Sequence, residues 1–299
     1  MRFSKILEIT RGKESLVILR YKNIVKILNK SYWNIDCKTS NGRLVGSYGR
    51  GTAIHLSDID MLFVLPNNKR TQYNSYQSNG QSSLLQEVRQ SLLSTYPRTG
   101  IRADGQVVQV SFVDGMRFEI VPCFIKRTSL LGKVSTSYEY PDTNSGGSWK
   151  KTDPHPEINA IHNFTNPHLK SLCKMIRAWK DRCNVPMGGL LIDTLVYNFL
   201  STPKNNRISR FPSLSGNAPH YGAYTTRDFF EYLSQQNDEQ SYWYAVGSKQ
   251  QIYPRGKFSR KAKEAYSKSE DAINFANTGE MKYAINTLRE IYGPRFPNQ

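Results

Sequence analysis

Two aspartates open the clearest strand pattern of the chain and constrain its fold most. Asp58 and Asp60 stand at the head of an apolar run that continues to Leu65. Residues two apart in a strand point to the same face, so both carboxylates are expected on one side of a sheet. Neighbouring carboxylates repel each other unless a positive charge lies between them, and a Mg²⁺ or Mn²⁺ ion takes oxygen ligands alone. The pattern predicts a metal-binding strand; the alternative is an ordinary acidic start to a strand.

A glycine-rich segment precedes these aspartates. Gly46 and Ser47 follow a short strand-like run and open a turn before a helix-like stretch. Free backbone N–H groups and a hydroxyl at such a turn can bind a triphosphate. A glycine-serine turn is common by itself, but a strand, this turn and the two aspartates in that order are far more specific. The order predicts an active site in this segment.

A third carboxylate is expected on a neighbouring strand, because a two-metal site needs a ligand for the ion that activates the attacking hydroxyl. Glu119 is the candidate. It lies in the second strand of a hairpin predicted around Asp114-Gly115, a dipeptide that favours tight turns. Its surroundings are apolar, where an ionised carboxylate is costly without a partner. Arg117 shares its face, so a simple salt bridge between the two is the alternative.

The hydrophobic pattern divides the chain into a strand-containing lobe, residues 1–160, and a helical lobe, residues 161–299. An α/β (α+β) fold with a mixed sheet is therefore expected. Helices are predicted at residues 14–30, 84–95, from 168 onwards, and at 190–200, where the residues are apolar nearly all round. Long polar loops are predicted at residues 67–83, 139–157 and 203–222.

Charge is the largest bias in the composition. The 41 Lys and Arg side chains outnumber 24 Asp and Glu, which leaves a formal net charge of +17. This excess favours polyanionic partners such as nucleotides, nucleic acid or an acidic membrane surface, although solvated basic faces are also common. No run approaches the ~20 apolar residues that cross a bilayer, and the N-terminus lacks the apolar region of a secretory signal. We expect a cytoplasmic protein without membrane insertion, whose four cysteines are reduced thiols.

Several motifs together resemble one family. They are G-S-Y-G-R-G-T-A-I at 46–54, S-D-I-D at 57–60, F-E-I-V-P at 118–122, W-K-K-T-D-P at 149–154, the helix from Lys174 to Lys180, G-G-L-L-I-D at 188–193 and I-Y-G-P-R-F-P at 291–297. This set resembles the bacterial cGAS/DncV-like nucleotidyltransferases (CD-NTases), the cyclic oligonucleotide synthases of CBASS antiphage defence, within the DNA polymerase β-like superfamily. The resemblance covers nearly the whole chain, and the catalytic segment is its most specific part.

The resemblance implies a polymerase β-like lobe with a mixed sheet, a C-terminal helical lobe, and an active site in the cleft between them. It implies a nucleotidyltransferase that joins nucleoside triphosphates into a cyclic di- or trinucleotide and releases pyrophosphate. Two Mg²⁺ ions, or Mn²⁺ in their place, would be the cofactors. Asp58 and Asp60 would bind both ions, and Glu119 would hold the catalytic ion and help to deprotonate the acceptor hydroxyl.

Further residues would bind the nucleotide by the same resemblance. They are Gly46, Ser47, Arg50, Thr52, Trp149, Lys174 and Arg177. Lys174 or Arg177 would reach the triphosphate from the polar face of its helix, with a solvated face as the alternative. Trp149 would either stack on a base or pack the hinge between the lobes. The implied partners are nucleoside triphosphates, an activating nucleic acid at the basic N-terminal stretch, and a separately encoded effector protein that the product activates.

Two positions depart from the residues usual in this family. Aspartate is common where Glu119 stands, and glutamate reaches one methylene further. A serine is common where Gly189 stands, so the hydroxyl contact to the triphosphate would be missing or supplied elsewhere.

Two other functions fit parts of the sequence. A nucleotidyltransferase with another acceptor (an RNA 3′ end, a protein or a small molecule) would use the same carboxylates. A non-catalytic nucleic-acid-binding protein would use the basic surface and would need no carboxylate cluster. These residues leave open the bases, linkage and ring size of a cyclic product, and the oligomeric state.

Overall fold

The computed structural model describes residues 2–55, 57–130, 133–202 and 220–297. Contacts within the chain group its residues into two compact units. The sheet unit comprises Thr10–Gly49 and Leu56–His155, and the helical unit comprises Met1–Ile9, Arg50–His55 and Pro156–Gln299. Residues 1–9, 50–55 and 156–160, which the sequence analysis placed in the first lobe with the rest of 1–160, therefore group with the helical unit.

Helices and strands both contribute to the described chain. The helices are α1 (Arg2–Ile6), α2 (Arg11–Trp33), α3 (Gly46–Arg50), α4 (Asn67–Asn74), α5 (Gly80–Leu93), α6 (His155–His162), α7 (Leu169–Cys183), α8 (Gly189–Ser201), α9 (His220–Ser234), α10 (Ser259–Asn277) and α11 (Met281–Tyr292). The strands are β1 (Gly42–Leu44), β2 (Ile59–Val64), β3 (Gly100–Asp104), β4 (Val107–Ser111), β5 (Arg117–Leu130), β6 (Lys133–Asp142), β7 (Ser148–Thr152), β8 (Trp243–Tyr244) and β9 (Gln251–Ile252).

The first seven strands form the mixed sheet that the sequence predicts. Their order is β1-β2-β5-β4-β3, and the long strand β5 also pairs with β6, which pairs with β7. β2 runs parallel to β5, whereas β4 and β5 form the antiparallel hairpin predicted at Asp114-Gly115. Gly115 adopts a φ of 84° in this turn, a conformation that suits glycine.

Helices α2 and α5 pack against the sheet, and their apolar side chains form the core of the sheet unit together with those of the strands. α2 contains the predicted helix 14–30 and is capped by the preceding Thr10, whose side chain accepts a hydrogen bond from Lys13 N at 3.4 Å. The residue that follows it, Asn34, has the left-handed φ of 52° typical of the residue that caps a helix end. The apolar side chains that pack between the two helices and the sheet include Val17, Ile24, Leu28, Leu84, Val88, Met61, Phe63, Phe118 and Ile120.

The first predicted polar loop, residues 67–83, is wrong. Helix α4 begins directly after Pro66, and α5 has already begun before the end of that segment. Tyr73 is the buried residue of α4, so the helix shows no apolar stripe in the sequence. Its polar residues can form a helix once one side rests on the sheet unit, and hydrophobic periodicity alone does not reveal that support.

The second predicted loop, residues 139–157, is also wrong. β6 extends to Asp142, β7 follows, and α6 begins before the predicted loop ends. The side chains of β7 are all exposed or half-buried, so the strand lacks the alternation by which a half-buried strand is recognised. Its pairing with β6 identifies it instead.

The helical unit is built around the two helices that the sequence predicts most clearly. Leu172, Ile176 and Trp179 of α7 are buried, and Trp179 packs edge-on against Phe230 with 5.1 Å between ring centroids. α8 contains the predicted apolar helix 190–200. Most of the third predicted loop, residues 203–219, lies outside the described residues, and α9 begins at residue 220. None of the helices described is both long enough and apolar enough to cross a membrane.

We expect Leu28→Ala to lower the free energy of unfolding by about 2–5 kcal/mol, because it leaves a cavity in the core of the sheet unit. Leu19 lies on the same helix α2 but is 55% exposed, whereas Leu28 is fully buried. Leu19→Ala is the matched control, with an expected change within about 0.5 kcal/mol. Urea denaturation measures both variants, and similar losses would contradict the packing of α2 described above.

Candidate active site

The turn between β1 and α3 lies against one of the predicted metal ligands. Val45 N donates to Asp60 O at 2.9 Å, which joins the turn to β2. Gly46 has a φ of 60°, and a Cβ built on it would lie 2.6 Å from Asp60 Cγ and 2.8 Å from Asp60 Cβ. Only glycine allows so close an approach in this conformation. The turn that contains Ser47 and the carboxylate of Asp60 are therefore direct neighbours.

Strand register places a second carboxylate beside Asp60. Asp60 pairs with Glu119 across the parallel strands β2 and β5, so the two side chains leave the sheet on the same face. Glu119 also lies opposite Gln109 on β4, whose Nε2 donates to Glu119 Oε1 at 3.4 Å. Both acidic side chains are half-buried, which leaves part of each carboxylate accessible to a ligand.

Asp58 immediately precedes β2 and follows the same alternation as Asp60. Its Oδ1 lies 3.7 Å from Arg117 Nε. The two side chains are 42% and 48% exposed, so this ion pair contributes only about 0–1 kcal/mol of stability. Arg117 therefore pairs with Asp58, and the alternative in which it pairs with Glu119 is wrong.

The donor chemistry of these residues fits Mg²⁺, because Asp58, Asp60 and Glu119 offer carboxylate oxygens on one face of the sheet. Among the described residues, no three His, Cys, Asp or Glu side chains lie close enough together in this arrangement to hold a metal ion. Arg117 instead lies beside Asp58 and supplies part of the positive charge that neighbouring carboxylates require. An ion bound here would take over that role from Arg117.

Trp149 lies in β7 rather than in a loop, and its half-buried ring contacts residues of the sheet unit. Arg70 Cζ lies 4.1 Å from the ring centroid, and Phe124 packs edge-on with 5.6 Å between centroids. The indole Nε1 donates to Asn74 Oδ1 at 3.2 Å. These contacts give Trp149 a packing role within the sheet unit, and its two predicted roles, stacking on a base and packing the hinge, stay predictions.

A buried ionic cluster connects three other predicted nucleotide-binding residues. Its centre is Asp193 of α8, which has no exposed surface. Arg50 Nε and Thr52 Oγ1 each donate to Asp193 Oδ2 at 2.8 Å, and Arg177 Nη2 lies 2.8 Å from both carboxylate oxygens. Arg177 Nη2 also lies 3.2 Å from Thr52 Oγ1. Arg177 is 8% exposed, so its predicted position on the polar face of α7 is wrong.

The negative charge of the buried Asp193 is balanced by direct contact with the guanidinium groups of Arg50 and Arg177. Burial by itself raises the pKa of the Asp193 carboxyl. The charges of Arg177 and Arg50 and the hydrogen bonds from Arg50 and Thr52 lower this pKa by more than burial raises it. The pKa of Asp193 therefore lies below its usual value, and the carboxylate is ionised. Breaking such a buried pair costs about 3–5 kcal/mol, because it leaves a charge without a partner.

The departure at Gly189 has a structural reason in the same cluster. The carbonyl of Gly189 accepts a hydrogen bond from Arg177 Nη2 at 3.0 Å. A Cβ at this position would lie 3.1 Å from Arg177 Cζ and would overlap Nη1. A serine at position 189 would therefore require the guanidinium to shift, which its hydrogen bonds to Asp193 oppose.

Lys174 is engaged within the helical unit as well. Its Nζ lies 2.9 Å from Glu8 Oε1, and its side chain is only 14% exposed, so the solvated alternative does not describe it. Lys170, one turn earlier on α7, runs beside the backbone of Gly51, since a Cβ there would lie 3.4 Å from Lys170 Nζ. Both ammonium groups thus lie among residues of the helical unit.

The structure places the predicted site residues in two groups. The sheet unit holds Gly46, Ser47, Asp58, Asp60 and Glu119, with Trp149 in a separate aromatic cluster, and the helical unit holds Arg50, Thr52, Lys174 and Arg177. Sequence reasoning did not select Asp193 as a site residue. A signal was present, because a lone acid within the apolar run 190–200 must find a partner when it is buried.

Comparison with solved structures defines the class of this fold. The CD-NTase CdnG of Bradyrhizobium diazoefficiens, in complex with GTP, matches with a TM-score of 0.65 at 9% identity, over 98% of this chain and 93% of that one. CdnC of E. coli MS115-1, in its complex with HORMA-deltaN, matches with a TM-score of 0.61 at 16% identity, over 99% and 96%. The cyclic AMP-GMP synthase DncV of Vibrio cholerae matches with a TM-score of 0.57 at 13% identity, over 86% and 69%. The chain has the mixed α+β fold of the CD-NTases, as the sequence predicts.

Sequence comparison identifies the family. The model of the Second Messenger Oligonucleotide or Dinucleotide Synthetase domain matches residues 1–164, more than half of the chain. The chain belongs to this family, which confirms the resemblance found in its motifs. A protein of Bacillus cereus (strain VD146), named "Probable cyclic nucleotide synthase", is 24% identical over 221 residues. The match covers 70% of this chain and 60% of that relative's length.

We expect Gly46→Ala to destabilise the sheet unit more than Gly105→Ala. Both glycines have φ values near +60°, a conformation that costs a non-glycine residue about 1–2 kcal/mol. A Cβ at Gly105 has no atom within 4 Å, whereas one at Gly46 would collide with Asp60. Gly46→Ala should therefore lose roughly 1 kcal/mol or more beyond the loss of Gly105→Ala. Urea denaturation of both variants tests this, and equal losses would show that the turn does not press on Asp60.

We expect Asp193→Asn to lower the free energy of unfolding by about 3–5 kcal/mol at pH 7. The pKa of Asp193 is lower in the folded protein than in the unfolded chain, so its stabilising effect is complete above the unfolded value of about 3.9. That effect is lost as the pH falls through the folded pKa, so the gap between wild type and variant should narrow below about pH 4. Denaturation between pH 3 and 7 measures it. Asp181→Asn, at a surface pair with Lys180, is the control, and a gap independent of pH would contradict the assignment.

Proposed function

We propose that the protein is a nucleotidyltransferase that joins nucleoside triphosphates into a cyclic di- or trinucleotide second messenger. The observation that carries this proposal is the position of Asp60 opposite Glu119, next to the turn that Gly46 permits. Carboxylates on one sheet face beside a turn with a serine hydroxyl offer what transfer of a nucleotide needs, a metal site next to a phosphate site. Membership of the synthetase family supports the choice of product.

The proposed reaction is an in-line displacement at phosphorus. A ribose hydroxyl of the acceptor nucleotide attacks the α-phosphorus of the donor; the new O–P bond forms as the bond to the bridging oxygen of the β-phosphate breaks, and pyrophosphate leaves. Glu119 helps to take the proton from the attacking hydroxyl. Two Mg²⁺ ions held by Asp58, Asp60 and Glu119 would supply positive charge to the attacking and leaving oxygens. A second transfer in the same site closes the linear product into a ring.

Residues around the carboxylates are proposed to bind the donor. The backbone and hydroxyl at Gly46 and Ser47 contact the triphosphate, because they lie beside Asp60. Lys174 contributes a further contact, which requires its ammonium group to exchange Glu8 for a phosphate. Since Arg50, Thr52 and Arg177 are bound to Asp193, we propose that they hold the segment that follows α3 in place for nucleotide binding.

Two structural relatives support nucleoside triphosphates as the substrates. CdnG was solved with GTP, and CdnE of Elizabethkingia meningoseptica, a cyclic dinucleotide synthase, was solved with GTP and Apcpp. By the same family relationship, we propose that the product acts in antiphage signalling in the cytoplasm through a separately encoded effector protein. An activating nucleic acid belongs to this proposal as well.

A product assay tests the proposed function. Purified protein is incubated with Mg²⁺ or Mn²⁺ and the four labelled nucleoside triphosphates, and the products are treated with phosphatase and separated by chromatography and mass. We expect a phosphatase-resistant cyclic species. Asp58→Ala/Asp60→Ala should reduce its rate by about a hundredfold or more, because charge stabilisation by metal ions is worth several kcal/mol.

The control for this assay is Asp104→Ala, which removes an exposed carboxylate of the same sheet unit away from the site. It should leave product formation unchanged, and circular dichroism should show that both variants are folded. Label that enters only an added RNA, protein or small molecule would replace the proposal with the alternative acceptor. If no product forms with Mg²⁺ or with Mn²⁺, whether or not RNA or DNA is added, catalysis by this chain alone is contradicted.

A further inference from the structure

The hairpin of β8 and β9 is anchored to the helical unit by one of its faces. Trp243 pairs with Ile252 in the hairpin register, and both side chains join the core of the helical unit. Trp243 packs against Phe258 with 5.6 Å between ring centroids, and its Nε1 donates to Gln236 Oε1 at 3.3 Å. Side chains alternate along a strand, so the neighbours of Trp243 and Ile252 must point to the opposite, outer face.

Three tyrosines, Tyr242, Tyr244 and Tyr253, lie on that outer face together with Gln251, which accepts a hydrogen bond from Tyr253 Oη at 2.6 Å, and we name this surface the tyrosine face. Tyr244 and Tyr253 are 56% and 61% exposed. The ring centroid of Tyr242 lies 5.4 Å from that of Tyr244 and 6.3 Å from that of Tyr253. The rings support one another, and two of them present more than half of their surface to solvent. Exposed aromatic groups gathered in this way mark interaction surfaces.

The segment that contains the tyrosine face has basic but no acidic side chains of its own, and the buried Glu157 contacts its loop by accepting hydrogen bonds from Ser248 Oγ and Gln250 Nε2. Residues 242–263 contain no Asp or Glu and six basic side chains, namely Lys249, Arg255, Lys257, Arg260, Lys261 and Lys263. Lys257 and Arg260 form ion pairs with Glu239 and Glu264. Lys249, between the two strands, and Arg255, just after β9, are exposed and form no ion pair with any described residue.

The nearest acidic side chains before the hairpin do not cancel this charge. Glu239 is the partner of Lys257, and Asp238 accepts a hydrogen bond from Ser259 Oγ at 2.6 Å. Both carboxylates thus have partners in residues 257–259, which follow β9. Exposed aromatic rings and two cations without an ion-pair partner among the described residues therefore lie within one segment, residues 242–255, and this combination is complementary to a chain of bases and phosphates.

We propose that the tyrosine face binds a single strand of nucleic acid, with bases stacked on Tyr244 and Tyr253 and phosphates at Lys249 and Arg255. An aromatic ring can stack on any base that is not enclosed in a double helix, and Lys and Arg contact phosphates independently of sequence. The proposal goes beyond nucleotidyl transfer, because it concerns a polymer bound outside the carboxylate site. It also assigns the polyanion to a surface other than the basic N-terminal stretch.

Fluorescence anisotropy with a fluorescein-labelled oligothymidine of about 12 nucleotides tests this proposal. Tyr244→Ala/Tyr253→Ala should weaken binding by about tenfold or more, because each stacked base contributes substantially to affinity. Lys249→Ala/Arg255→Ala should lower the slope of log affinity against log salt by about 1.4, since a single strand contributes about 0.7 for each phosphate contact. All variants replace exposed side chains, and their melting temperatures are compared with that of the wild type.

Two control variants separate this surface from others. Tyr283 of α11 is 60% exposed, so Tyr283→Ala removes a comparable ring elsewhere in the helical unit and should leave binding unchanged. Lys22→Ala/Lys30→Ala removes two exposed cations of α2 in the basic N-terminal stretch and should have a much smaller effect on the slope. Binding is also measured in Asp58→Ala/Asp60→Ala without nucleotides, where it should persist whether or not the proposed catalysis is correct.

Three results would overturn the proposal. One is equal binding by the wild type and Tyr244→Ala/Tyr253→Ala. Another is a loss in Tyr283→Ala as large as the loss in the tyrosine pair. The third is a wild-type protein that does not bind the oligonucleotide even at low salt, which would direct attention to a protein partner for this face.

Discussion

The parallel pairing of β2 with β5 sets the geometry on which the proposed chemistry depends. Its register places Asp60 opposite Glu119 and leaves Met61 and Phe63, fully buried, on the other face. A shift of one residue in β2 would exchange the two faces and would bring a carboxylate into the apolar core. The apolar contacts that stabilise the sheet unit therefore also determine where its acidic side chains stand. Gly46 completes the arrangement, because its missing side chain allows the backbone to approach Asp60.

A buried charge organises the helical unit in a different way. Asp193 lies in a largely apolar helix, and Arg50, Thr52 and Arg177 together satisfy its two oxygens. Apolar packing tolerates small displacements, whereas a buried carboxylate with three directional partners has one favourable arrangement. Residues 50–52 therefore have a specified position against α8. This is the form of support that a site requires when its own residues lie in a short turn.

The parts that sequence could predict follow from local rules. Strand alternation placed Asp58 and Asp60 on one face, the Asp-Gly dipeptide located the β4–β5 hairpin, and the apolar run 190–200 identified α8. The errors have tertiary causes: α4 and β7 take their stability from neighbours that hydrophobic periodicity does not record. The partners of buried charges are also tertiary information. Arg50 and Asp193 are 143 residues apart in the chain, and no local pattern connects them.

The contact between Arg177 and Gly189 has a consequence for how this chain can change over generations. While Asp193 holds the guanidinium, any side chain at position 189 overlaps it. A serine at 189 becomes acceptable only after Arg177 has been replaced by a shorter residue, and that replacement first leaves Asp193 with fewer cations. The two positions are therefore epistatic, and the order of substitution decides whether the intermediate folds. A change from glycine to serine at position 189 is therefore expected to require a compensating change at Arg177.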